Sequence, residues 1–135
     1  PGSADSASVD VTEPDEVYLT GPGVLSAGVD SLLQRVNREY LGMRFNRAYD
    51  REDHEFFYPR TDAGPFLERG VLTIGYFTGL HRRYHAPSDE ARYLHPQKME
   101  VIARTIFAAI WALADADERP RIDKGIPAGV PRYQE

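Results

Sequence analysis

Val71-Leu72-Thr73-Ile74-Gly75-Tyr76-Phe77 is a near-continuous apolar run, bounded by Gly70 on one side and Thr78-Gly79 on the other. Seven residues are short for a helix and suit a strand. A strand without polar alternation is one covered on both faces, as where helices flank a sheet. Just upstream, residues 62–69 fit one or two helical turns, with Pro65 in the first turn and Gly70 as the stop. Downstream, a polar loop over residues 78–95 leads to Pro96, which suits the first position of the longest helix. That helix places Met99, Ile102, Ala103, Ile106, Phe107, Ile110 and Leu113 on one broad face and ends near Asp115. Trp111 and the Ile/Phe stripe read as core or interface.

Further out, Glu16-Val17-Tyr18-Leu19-Thr20 predicts a short strand closed by Gly21-Pro22-Gly23. Ser26 is a suitable N-cap for a helix with Val29, Leu32, Leu33, Val36 and Tyr40 at 3.6-residue spacing, and Gly42 stands where a C′ glycine belongs. Residues 43–49 have moderate strand character. The succession strand, helix, strand, short helix, strand, long helix is that of an α/β fold. Residues 1–15 are expected to be a flexible linker or arm, 16–119 the folded body, and 120–135 an extended tail. Three helices and three strands are few to cover the 71–77 strand on both faces, so a fuller sheet is expected outside this chain.

The 135 residues make room for one domain or a large piece of one. Sixteen Lys+Arg against 21 Asp+Glu leave a net charge of −5, which provides no basic stripe for nucleic acid. The absence of cysteine excludes a disulfide scaffold, a Cys-ligated zinc finger and a cysteine nucleophile. No segment reaches the roughly 18 apolar residues of a membrane span. The N-terminus has neither the basic nor the apolar region of a signal peptide, and a start at proline is expected of a processed, truncated or engineered product.

In open α/β sheets, ligands bind beyond the carboxyl ends of strands. The loop after the apolar run reads Phe77-Thr78-Gly79-Leu80-His81-Arg82-Arg83-Tyr84-His85-Ala86-Pro87-Ser88-Asp89. His81 and His85 have the i, i+4 spacing of a helical metal chelate, but Gly79 and Pro87 favour a loop. From residue types alone this segment is either a solvated turn with two surface histidines or part of a metal site. His54, beside Asp50, Glu52 and Asp53, reads mainly as a charged surface loop, and His95 as a flank of the long helix. Ser88 lacks a G-x-S-x-G context, and neither a P-loop nor G-x-G-x-x-G is present.

Several ordered motifs go further. Arg60-Thr61-Asp62-Ala63-Gly64-Pro65-Phe66, Gly70-Val71, Phe77-Thr78-Gly79 and Tyr84-His85 followed by Asp89 resemble, in order and spacing, the C-terminal half of the two-zinc aminopeptidase family. That family includes bacterial secreted aminopeptidases, glutamate carboxypeptidase and, more distantly, glutaminyl cyclase. Its usual pattern is R-S-D-H-x-P-F, G-[IV]-P, F-x-G and Y-H-x-x-x-D. The similarity runs from about Glu13 to Pro120 and includes Glu13-Pro14-Asp15-Glu16-Val17-Tyr18-Leu19.

The resemblance implies a three-layer αβα domain with a mixed, mostly parallel sheet, of which this chain is the C-terminal half. It implies that His85 ligates one of two zinc ions, that Tyr84 hydrogen-bonds the oxyanion, and that Arg60 lines the substrate site. It further implies a buried Asp62 supporting the site and an Asp89 in a structural or supporting role, while His81 is no zinc ligand. Ala63 departs from the family's histidine, and Val71-Leu72 from its Ile-Pro. The resemblance implies that the family's other zinc ligands and its glutamate base are to be expected upstream of Pro1. The chain is therefore expected to be the C-terminal segment of a zinc aminopeptidase acting on peptides with a free N-terminus, inactive alone. Its expected partners are the missing N-terminal half or further copies of itself. Export to the periplasm or beyond is suggested by the resemblance only. The rival reading is a non-catalytic binding or receptor-like domain of the same fold, against which the retained Tyr84-His85 pair argues.

Overall fold

A computed structural model of the protein describes residues 10–53 and 61–131. The strand Glu16–Thr20 (β2, after a two-residue strand β1, Asp10–Val11) is the centre of a three-stranded sheet. Val17 and Leu19 are fully buried, and Tyr18 and Thr20 nearly so, so this strand is covered on both faces. The chain then makes one helical turn, Pro22–Leu25 (α1), enters the helix Ala27–Tyr40 (α2) and returns as the strand Arg44–Asn46 (β3). β3 lies parallel to β2, with Val17 opposite Phe45. The short helix Gly64–Glu68 (α3) leads to the strand Gly75–Phe77 (β4), antiparallel to β2 with Leu19 opposite Tyr76. Gly79–Leu80 (β5) pairs with β1, and the long helix Pro96–Ala114 (α4) follows a single 3-10 turn at Ala91–Tyr93.

The period-two pattern of β2 sorts its side chains. Val17 and Leu19 face the helices, joining Val29 and Leu33 of α2, Ile102 and Ala109 of α4, and Met43. Tyr18 faces the other way, its ring centroid 4.3 Å from Tyr49 and 6.0 Å from Phe77. A second small core joins Leu25 of α1, Leu67 of α3 and Val130.

Helix α2 starts where the N-cap signal places it. Ser26 Oγ accepts from Val29 N (3.2 Å), while the distant Asp123 carboxylate accepts from Ala27 N (2.8 Å) and Gly28 N (3.1 Å). Three of the donors that a helix start leaves unpaired are thereby satisfied, two of them by a residue nearly a hundred positions away. Just past the end of the helix Gly42 lies in the left-handed region with φ 69°, and the buried Asn37 side chain holds both the N–H and the carbonyl of Met43. Gly21, φ 104°, could carry no side chain, because the Thr73 carbonyl occupies the position of its Cβ.

The structure revises the pattern reading at several places. Strand geometry in the 71–77 run covers only Gly75–Phe77, which is half-buried and at the sheet edge, so β2 is the strand buried on both faces. Residues 71–74 arrive as irregular backbone whose Leu72 and Ile74 still pack on the core. The three-stranded sheet is mixed, β3 lying parallel to β2 and β4 antiparallel. Residues 10–15 are no loose arm: β1 pairs with β5, and Thr12 is buried. Residues 120–131 lack regular structure but are tied down by Asp123 and by the buried Val130. Trp111 is 65% exposed and Phe107 64%, so of the core-or-interface alternatives this part of the stripe is not core, whereas Lys98, Ile102, Thr105 and Ala109 form the buried edge of α4. Among the described residues no helix is long and apolar enough to cross a membrane.

Three outcomes follow for stability. Ser26→Ala should cost about 1 kcal/mol in urea denaturation, because Val29 N loses its acceptor. The backbone N–H groups of α2 hold the Asp123 carboxyl below its usual pKa. A lowered folded-state pKa means that the cap contributes fully above the unfolded value of about 3.9 and is lost as pH falls through the folded value. The melting temperature should therefore fall more steeply below about pH 4 in the parent chain than in Asp123→Asn. Tyr76 is a contrasting case: burial raises its pKa to about 12, and its buried hydroxyl has no partner among the described residues. Tyr76→Phe should leave stability unchanged or raise it by less than about 1 kcal/mol, since the removed group is desolvated without compensation.

Candidate functional site

The carboxyl end of β4 runs directly into the segment 78–95. Its base is fixed by a relay from the other end of the chain. Lys98 of α4 is 3% exposed, and its ammonium donates to Thr12 O, Thr12 Oγ1 and Glu13 O, each at 2.7 Å. Thr12 in turn donates its N–H (3.0 Å) and hydroxyl (3.3 Å) to the Thr78 carbonyl. Burial pulls the Lys98 pKa below its usual value, opposed by the carboxylates of Glu16, Glu13 and Asp15. Three acceptors around one ammonium match its three donors.

Beyond Leu80 the chain folds into successive turns, with Tyr84 N donating to His81 O (2.9 Å), Ala86 N to Arg83 O (2.8 Å) and Asp89 N to Ala86 O (3.0 Å). His85, at φ 59°, is the residue other than glycine with positive φ among the described residues. Such a conformation is uncommon for a side-chain-bearing residue and is tolerated by histidine better than by most. The result is that Tyr84 and His85 both stand exposed, their ring centroids 4.0 Å apart. His81 lies edge-on to Tyr84 at 6.4 Å, and its Nε2 is 3.8 Å from the Asp89 carboxylate. Phe77, Thr78, His81, Tyr84, Asp89 and Tyr93 line a cleft of about 290 Å³. One wall is stiffened where Arg83 stacks on the Tyr93 ring at 3.7 Å.

The structure thus brings Tyr84, His85, His81 and Asp89 into one neighbourhood. The near neighbour of Asp89 is His81. Asp62, expected to be buried, is exposed in the turn before α3, which carries it out of the core. Arg60 and His54 lie outside the described residues. Thr12, Lys98 and Tyr93 were not legible as site-building residues. The available signal was a lysine on the inner edge of an apolar helix, which pattern reading assigns to the surface.

A comparison with protein families matches residues 10–110 to Peptidase family M28. The chain belongs to that family. No curated protein and no solved structure matched it. Members of peptidase family M28 are metallopeptidases and generally zinc-dependent. The described residues, however, contain no group of three or more His, Cys, Asp or Glu side chains able to hold a metal ion. A catalytic zinc takes about three protein ligands and a water. His85 alone does not meet that requirement, so the donor set described here does not form a zinc centre by itself.

The geometry at His85 sets a trade between stability and side-chain placement. His85→Gly should raise stability by up to about 1 kcal/mol in urea denaturation, because glycine adopts this φ without steric cost. A loss of stability would show instead that the imidazole itself holds the turn.

Proposed function

We propose that this chain is the C-terminal segment of an M28 aminopeptidase, supplying one zinc ligand, His85, and one catalytic hydroxyl, Tyr84, to a site completed by residues it does not contain. The observation that carries the reading is the pair of exposed rings at the end of β4, with His85 held in an uncommon backbone conformation. Strain of that kind concentrates where a side chain must be presented at a fixed angle. The substrate class is a peptide with a free N-terminus, and the reaction is hydrolysis of its first peptide bond. The complete domain would be three-layered, with a larger sheet than the three strands around β2.

Tyr84 projects from the lip of the cleft, where its hydroxyl can donate a hydrogen bond to an oxygen that gains charge during attack on a carbonyl. His85, beside it, is free of the cleft wall and available as a donor atom. Arg60 would bind substrate, and Asp62 and Asp89 would orient neighbouring groups. Asp89 is close enough to His81 to steady that ring, and the T-shaped contact passes the restraint to Tyr84. Thr78, clamped through Thr12 to Lys98, keeps this loop from swinging on β4.

The chain alone should bind zinc weakly and without defined stoichiometry, because the nearest donors are too few. Co-expression with the upstream half of the domain should restore zinc binding and aminopeptidase activity. In that complex His85→Ala should abolish activity, and Tyr84→Phe should lower kcat by about 10²–10³ with little change in KM. A stable complex that remains inactive with zinc present would favour the non-catalytic binding domain.

A further inference from the structure

At the opposite end of β4 from the Tyr84-His85 loop lies a cleft of about 730 Å³. Its rim carries Arg69, Arg119 and Arg121, and its floor includes Leu72, Ile74 and Leu113. The floor residues are partly buried and pack on Leu19, Leu33 and Ala109, so the apolar base is anchored to the main core. Among the described residues no Asp or Glu lines the cleft, although the chain as a whole carries a net charge of −5.

Two of the rim arginines, Arg119 and Arg121, have little or no carboxylate pairing among the described residues. Arg44, Arg47, Arg51, Arg92 and Arg104 each pair with a carboxylate. Among the described residues Arg121 pairs with Glu118, at 3.8 Å with both side chains at least 80% exposed, a geometry worth little. Arg69 donates to the Pro65 carbonyl at 3.1 Å. Arg119 has no ion pair with a described residue. Guanidinium groups from two separate segments, residue 69 and residues 119–121, border one hollow with an apolar floor.

We propose that this cleft binds an apolar carboxylate, the anionic head held at the arginine rim and the hydrocarbon body lying on Leu72, Ile74 and Leu113. Guanidinium matches carboxylate in a two-pronged hydrogen-bonded geometry. A volume of this size is in the range of small-molecule sites, which combine a mostly apolar lining with a few polar groups that set orientation. The net negative charge of the chain disfavours a polyanion such as nucleic acid. The chemistry admits two sources, a free fatty-acid anion or the apolar C-terminal residue of a peptide. The assignment does not rest on the peptidase reading.

Calorimetric titration of the 135-residue chain tests this with octanoate and with N-acetyl-leucine as probes, against octanol and N-acetyl-leucine amide. Saturable one-to-one binding of at least one carboxylate is expected, with Kd of about 0.1–1 mM. The uncharged counterparts should bind at least tenfold more weakly, about 1.4 kcal/mol. Binding of octanoate alone would identify the fatty-acid source, and binding of N-acetyl-leucine alone the peptide source. The double variant Arg119→Ala/Arg121→Ala should lose at least tenfold in affinity, while Arg104→Ala on the exposed side of α4 should not. Both rim positions are exposed, and an unchanged far-UV helical signal would show that the double variant remains folded. The proposal is overturned if neither carboxylate saturates by about 10 mM, if the uncharged probes bind as well, or if the double variant binds like the parent. Should the double variant unfold, salt dependence of parent binding decides instead: affinity unchanged between low and high ionic strength would equally overturn it.

Discussion

Burial of β2 on both faces is the constraint on which the other elements depend. Five residues, Glu16–Thr20, present Val17 and Leu19 to one side and Tyr18 to the other, and every large element is placed by satisfying one of those faces. The parallel return of β3 through α2 sets the first side, because a crossover helix must lie against the sheet it spans. α4 completes that side from the far end of the chain. A strand with both faces occupied cannot shift register by one residue without exchanging its two sets of side chains. The antiparallel pairing with β4 is therefore fixed, and with it the point at which the chain leaves the sheet to form the Tyr84-His85 loop.

Distant parts of the chain close the structure through polar contacts as much as apolar ones. Asp123 caps α2, Lys98 grips residues 12 and 13, and Asp50 accepts the N–H groups of Gly21 and Gly23 while pairing with Arg47. Each satisfies backbone groups that the secondary structure leaves over, and each joins segments far apart in sequence. These contacts explain why segments resembling an arm and a tail in composition are held against the body. Their small polar residues cannot form a core, but they provide the hydrogen-bonding partners that helix ends and loop carbonyls require.

The apolar surface is unevenly used. α4 buries one edge through Ile102, Thr105 and Ala109, whereas Phe107, Ile110 and Trp111 stand in solvent beside Tyr40 of α2. This asymmetry accords with the proposed place of the chain within a larger domain. The same incompleteness applies to the chemistry. Tyr84 and His85 are set out at the end of β4, and in the proposed reading His85 is one donor where a catalytic zinc takes about three protein ligands.

Local signals determined the helices. Ser26, Pro65 and Pro96 start them, Gly42 and Gly70 end them, and the 3.6-residue spacing of α2 marks its buried face, because these effects act within one or two turns. The ordered motifs around Asp62 and Tyr84-His85 likewise placed the family, since they depend only on residue type and spacing. Tertiary structure decided what short-range pattern cannot carry. Which apolar run becomes the central strand depends on which other segments cover it, and β2 holds that place although residues 71–77 are the more apolar stretch. Asp123 became a helix cap and Lys98 a buried clamp because their partners lie 85 to 97 residues away, a distance over which no periodicity or propensity extends.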